Sequence, residues 1–260
     1  MGLILMETLR NHELQITWQN YCEFTTAKKV NLQNDQVHIW RIDINQHLND
    51  IINLLAILDN KEKQQAQRFK FNKDRNCLIC SHAILRILLS KYLACVPKSI
   101  TYEYNQYGKP MLSNNNNKLH FNLSHSHQKA IIAITKDNPI GIDIEYMQTK
   151  QSLAEIAKRF FAAQEYHEYK QLPNKQKIHG FYNAWTRKEA FVKAIGEGIT
   201  HPLKNFVVNL TPGTNAKILS IKNHETAPQD WQLHSFTVAE KYCAALAWEG
   251  TTKQLNFYNY

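Results

Sequence analysis

The sequence predicts an α+β fold in two halves, each combining strands with at least one long helix. Three observations lead there. Residues 74–94, "DRNCLICSHAILRILLSKYLA", set apolar side chains at three- and four-residue spacing, the period of a buried helix. "VHIWRIDI" (37–44) alternates apolar and polar as a half-buried strand does, and "KAIIAITK" (129–136) and "IGIDIEY" (140–146) read as further strands. No Gly/Ser-rich or Pro-rich linker separates the halves, so the boundary near Asp137 is expected to join two tightly packed parts, 1–137 and 138–260.

The remaining elements follow in order. Residues 1–35 are mixed and polar, with weak signals. "DNKEKQQAQRFKF" (59–71) reads as an exposed helix, and "SNNNN" (113–117) as a loop tip. "SLAEIAKRFF" and "AAQEYHEYKQL" (152–172) read as helices, followed by the helix of "WTRKEAFVKAIG". "NFVVNL", "KILSI", "WQLHSFTV" and "KYCAALAW" then resemble strands of an antiparallel sheet.

Composition narrows the function classes. With 43% hydrophobic and 20% charged residues, wholesale disorder is excluded. Lys and Arg number 31 against 22 Asp and Glu, a net +9. Such a surface attracts polyanions: nucleic acid, anionic membrane, a phosphorylated small molecule or an acidic protein. No helix-turn-helix, zinc-finger or aromatic-basic RNA signature is present, so nucleic acid is not expected as a partner. Five cysteines without regular spacing point to a reduced, cytoplasmic setting. "MGLILMETLR" has too short an apolar run for a signal peptide, and no stretch approaches the ~18 apolar residues of a membrane span.

Four short motifs carry candidate chemistry. In "GIDIE", Asp143 and Glu145 are two apart on a strand and share one face, while Ile142 and Ile144 take the other. Two such acids can lie on a wet sheet face or surround a hard, oxygen-seeking cation. In "WTRKEAFVKAIGEGI" (185–199), Glu189 and Lys193 are one helical turn apart, beside Lys188, and Gly196 and Gly198 suit a helix stop. This is either a surface ion pair or a carboxylate for metal or proton work next to a lysine for a phosphate. "FNLSHS" (121–126) offers Ser124 and His125 as phosphate donors, and "GKP" (108–110) places Lys109 in a turn. Cys77 and Cys80 form a C-x-x-C inside a helical apolar pattern and read as core thiols.

The order "GKP…FNLSHS…GIDIE…WTRKEAFVKAIGEG" resembles the 4′-phosphopantetheinyl transferase superfamily in its Sfp-like branch, from about Lys61 to Ile199. The resemblance implies two similar α/β halves about a pseudo-twofold axis, each a mostly antiparallel sheet on a long helix. It implies transfer of phosphopantetheine from coenzyme A to a serine of an apo acyl or peptidyl carrier protein. Asp143 and Glu145 would be ligands of Mg²⁺, with Mn²⁺ as the possible substitute, and Glu189 the third ligand or the general base. Lys193 would stabilise the pyrophosphate; Lys109, Ser124, His125 and Lys188 would hold the phosphates of coenzyme A. The protein would be a monomer. The alternative is a non-catalytic relative that only binds coenzyme A or carrier proteins. The chain departs from the family at Cys77 and His82, where relatives often carry arginine, whereas Arg75 and Arg86 fit; Lys61, Lys63 and Arg68 lie close by.

Overall fold

A computed structural model describes residues 16–20, 29–198, 201–222 and 224–260. The chain divides between Asp137 and Asn138. The division differs from the expected one at the C-terminal end: Lys253–Tyr260 joins the N-terminal unit instead of closing the second. The reason is a strand that the sequence reading lacked.

That strand, β12 (Gln254–Asn259), pairs in parallel with β2 (Gln36–Asp43). The Lys253 ammonium anchors its start by donating to Asn34 O at 2.8 Å, Thr135 Oγ1 at 3.2 Å and Lys136 O at 2.7 Å. Tyr258 stacks on Trp40 with ring centroids 4.7 Å apart. The five-stranded sheet runs β1-β12-β2-β6-β5, with β1 at Gln19–Asn20, β5 at Leu119–Ser126 and β6 at Lys129–Lys136. β2, β6 and β5 are antiparallel neighbours.

Among the described residues three α-helices belong to this unit: α1 (Ile51–Ile57), α2 (Asn60–Gln67) and the 22-residue α3 (Asn72–Leu93). Along α3 the apolar spacing buries Cys77, Cys80, Ile84 and Leu88 in one core with Trp40, Phe121 and Ile132. Each such aliphatic side chain contributes about 1.5–3 kcal/mol by leaving water. α3 stops at Ala94, in the left-handed conformation (φ 52°). α1 escaped the sequence reading because "IINLLAI", apolar but for Asn53, shows no helical period; only Leu54 is buried and Ile52 is 80% exposed. A short hairpin, β3 (Tyr102–Tyr104) and β4 (Pro110–Leu112), carries the Lys109 turn.

In the second unit, β7 (Ile140–Tyr146), β10 (Trp231–Ala239) and β11 (Tyr242–Glu249) form an antiparallel sheet in the order β10-β11-β7. β8 (Phe206–Val208) and β9 (Ile218–Ile221) form a separate two-stranded ladder, so the four expected strands fall into two sheets. α4 (Leu153–Phe160) and α5 (Ala163–Gln171) precede α6 (Asn174–Ile195). α6 also has 22 residues and starts eleven residues before Trp185 (174 to 185). It ends at Gly196, left-handed at φ 78°, as the glycine in the motif requires. Phe191, fully buried, meets the rings of Phe206 at 4.5 Å and Trp231 at 4.7 Å.

Candidate active site

The glycine of GIDIE sets the spacing of the site. A Cβ on Gly141 would fall 2.0 Å from Ala190 O and 2.3 Å from Ala194 N. Only a residue without a side chain lets the α6 backbone settle onto β7 there. On a strand, 141, 143 and 145 share a face, so that face of β7 lies beneath α6. Asp143 is accordingly 4% exposed, which excludes the wet-face alternative for it. Ile142 and Ile144, on the other face, are buried as expected.

This close packing brings α6 side chains to Asp143. Lys193 Nζ donates to Asp143 Oδ1 at 2.6 Å. One turn earlier, Glu189 is half-buried, and its pKa is raised above the ordinary carboxylate value by burial first and by the charge of Asp143 second. The Lys193 ammonium opposes that rise. The motif's i, i+4 pair is therefore no isolated surface salt bridge: Lys193 donates to Asp143 of the neighbouring strand, and the charge of Asp143 reaches Glu189. Glu145 lies one strand repeat further along, across from Cys243 of β11. Burial, then Asp143 and Glu145, push the Cys243 thiol far above its usual pKa. Tyr182, on the same face of α6, meets the end of β7 through its hydroxyl, which accepts from Gln148 N at 3.1 Å. Sequence reasoning passed over Gly141, Tyr182 and Cys243; the spacing 182, 186, 189, 193 marks Tyr182 as sharing the face of the charged pair.

Lys188 requires a correction. Expected among the phosphate-binding residues, it is turned into the core and is 0% exposed. Its Nζ lies 2.8 Å from Glu165 Oε1 and donates to Leu203 O and Phe206 O at 2.7 Å each. Three protons meet three acceptors, leaving no donor for a phosphate. Burial pulls its pKa down to about 8 against the pull of Glu165.

The other expected phosphate ligands belong to the N-terminal unit. Lys109 closes the β3–β4 turn, where Asn105 Oδ1 accepts from Tyr107 N at 3.0 Å and Lys109 N at 2.9 Å. Burial lowers the Lys109 pKa to about 8, so this ammonium is poorly solvated. Ser124 is buried and His125 exposed, on opposite faces of β5. Cys77 lies in the core and faces inward. Arg86 is also internal. It donates to Glu62 Oε2 at 2.6 Å and Asp59 Oδ2 at 2.5 Å, and His82 Nδ1 lies 3.0 Å from Glu62 Oε1. His82 thus takes part in an internal ion cluster. Lys61 stands 3.6 Å over the Tyr104 ring.

Among the described residues no three or more His, Cys, Asp or Glu side chains stand together as a ready-made metal cage. The donor set in hand is two close carboxylates, Asp143 and Glu189, with Glu145 further along the strand. Among the described residues no helix is long and apolar enough to cross a membrane.

Comparisons with known proteins bear on the family. Residues 139–247 match the 4′-phosphopantetheinyl transferase superfamily, and residues 44–137 match a 4′-phosphopantetheinyl transferase N-terminal family. The 4′-phosphopantetheinyl transferase HetI of Nostoc sp. strain PCC 7120 is 36% identical over 249 residues, 95% of this chain and 100% of that protein. A putative 4′-phosphopantetheinyl transferase of Synechocystis sp., slr0495, is 30% identical over 74% of this chain and 80% of its own. The 4′-phosphopantetheinyl transferase Sfp of Bacillus subtilis is 32% identical over 60% of this chain and 68% of its own. The chain belongs to the 4′-phosphopantetheinyl transferase superfamily, in its Sfp-like branch, and is a transferase.

Proposed function

We propose that this chain transfers 4′-phosphopantetheine from coenzyme A to a serine of an apo acyl or peptidyl carrier protein, releasing adenosine 3′,5′-bisphosphate, with Mg²⁺ as cofactor. The observation that carries the reading is the convergence of Glu189 and Lys193 on Asp143 beneath α6. The relatives named above support the reaction class. The donor set suits Mg²⁺, which takes one or two carboxylates and completes its shell with water and substrate phosphates. Asp143 and Glu189 would hold it, with Glu145 as a further oxygen ligand; Mn²⁺ would accept the same set. Bound there, the ion neutralises charge that builds on the phosphoryl oxygens.

The chain's own residues do the rest. The serine oxygen forms a bond to the β-phosphorus as the bond to the adenosine-bearing phosphate breaks. Glu189 takes the serine proton, directly or through a water. The Lys193 ammonium meets the charge on the departing phosphate. Lys109, Ser124 and His125 are proposed to hold the remaining phosphates of coenzyme A. The net +9 favours encounter with an acidic carrier protein, faster at low salt. The enzyme would act as a cytoplasmic monomer.

Intact-protein mass spectrometry tests the reading. An apo carrier protein incubated with the enzyme, coenzyme A and Mg²⁺ should gain one phosphopantetheine, and a chelator should prevent it. No gain across a panel of fatty-acid, polyketide and peptide carriers would refute it.

A further inference from the structure

Lys188 is placed where a charge is costly, and its partners suggest why it is there. A buried ion pair is seldom the most stabilising choice, because desolvation offsets much of the Coulomb gain. What it offers over leucine or methionine is direction. The Lys188 ammonium grips Glu165 of α5, Leu203 O of the short 3₁₀ turn Leu203–Asn205, and Phe206 O at the start of β8. Its Nζ also stands 4.1 Å over the Phe206 ring. Glu165 is itself fixed: Oε2 accepts from Ala162 N at 2.7 Å and Oε1 from Val208 N at 2.8 Å. The next residue on α6 is Glu189, about 100° further round the helix.

α6 is thus held from two sides, by Gly141 of β7 under Ala190 and Ala194 and by this ion pair behind. A helix rotation of roughly 10° would move a carboxylate ~6 Å from the axis by about 1 Å. A misplacement of that size costs on the order of 10²-fold in rate.

We propose that Lys188 and Glu165 form a positioning pair that fixes the rotation of α6, and so the placing of Glu189 against Asp143, without touching substrate. This rests on the transferase reading above. The pair has a natural control. In the N-terminal unit Arg86 makes the same kind of buried pair with Glu62, but its next residue is Ile87.

The test compares Lys188→Met, Glu165→Gln and Arg86→Met with the wild type. Three quantities are read on folded protein: melting temperature, coenzyme A affinity by calorimetry, and Mn²⁺ affinity by electron paramagnetic resonance. Turnover on an apo carrier is the fourth. Lys188→Met should lower kcat about 10²-fold and weaken Mn²⁺ binding about tenfold, with coenzyme A affinity within twofold of wild type. Glu165→Gln keeps the shape and most hydrogen bonds and should show the same pattern at about a tenth of the size, which covers the case where Lys188→Met fails to fold. Arg86→Met should lower the melting temperature and leave Mn²⁺ affinity unchanged. A fall in coenzyme A affinity as the main effect would make Lys188 a phosphate ligand and overturn the proposal. A fall in melting temperature with unchanged kcat and Mn²⁺ affinity would make the pair purely structural and overturn it as well. Absence of transfer by the wild type itself would instead count against the transferase reading, and Mn²⁺ affinity would still decide the pair.

Discussion

The two long helices, α3 and α6, are built on one plan and put to different uses. Each has 22 residues. Each carries a fully buried cation fourteen residues after its first residue (72 to 86, 174 to 188). Each cation meets a glutamate that also closes the start of the preceding short helix: Glu62 accepts from Asp59 N at 3.1 Å, Glu165 from Ala162 N at 2.7 Å. Each also donates to carbonyls around the next 3₁₀ turn, Pro97 and Ile100 for Arg86, Leu203 and Phe206 for Lys188. The difference lies one residue on. α3 follows its cation with Ile87 and continues as a core helix, whereas α6 follows with Glu189 and then Lys193. The shared part builds a unit; the charged face that α6 turns to a strand acid marks the unit proposed to carry the catalysis.

The largest effects should come from that face. Glu189→Gln or Asp143→Asn should reduce carrier loading by about 10³-fold or more, since each removes proton or charge work from the transferring step. Circular dichroism should show an unchanged fold. Near wild-type loading by either would erase the contrast between the helices. Lys193→Met should lower kcat with little change in KM; an unchanged kcat would return Lys193 to a plain ion-pair role.

Next come changes to what holds each helix in place. Gly141→Ala forces a methyl into the α6 backbone and should cost about 3 kcal/mol or more, read as a lower denaturation midpoint. Arg86→Met strands the buried Glu62 carboxylate and should cost about 3–5 kcal/mol in the same measurement. A small loss there would mean the two buried pairs are not equivalent.

Much of this was legible in the sequence. Long periodic runs gave α3, β6 and β7 within two residues, and GIDIE with W-T-x-K-E-A-x-x-K named the acids and Lys193. What escaped depends on contacts between distant segments. Nothing local in "QLNFYN" says that it pairs with β2, and "NKQKIHGFYNA" (174–184) hides the first half of α6 behind a polar start. The inward turn of Lys188 escaped because its partner Glu165 lies 23 residues earlier (165 to 188) on another helix. Gly141 sits inside a run that reads as plain strand, and its role depends on α6 lying against it.

The smallest effect is a pH dependence in the N-terminal unit. Burial holds the Lys109 pKa at about 8 in the folded chain, below its ordinary 10.5. A lowered lysine pKa disfavours the folded state at low pH, and that cost lifts as pH rises from about 8 to 10.5. Phosphate recognition runs the other way, because it needs the ammonium. Coenzyme A affinity should therefore weaken above pH 8, and Lys109→Met should remove that limb while raising KM for coenzyme A about tenfold. Calorimetry from pH 7 to about 9.5 would read both; an unchanged limb in the variant would take Lys109 out of the site.

The central claim is that the Asp143–Glu189 face of α6 and β7 is the metal and diphosphate site. It is tested most directly by a crystal structure with coenzyme A and Mn²⁺, read by anomalous scattering. The account predicts one strong peak bound by Asp143 and Glu189, with the pyrophosphate of coenzyme A against it and Lys193 in reach. A metal peak elsewhere, or coenzyme A bound away from both acids, would contradict it.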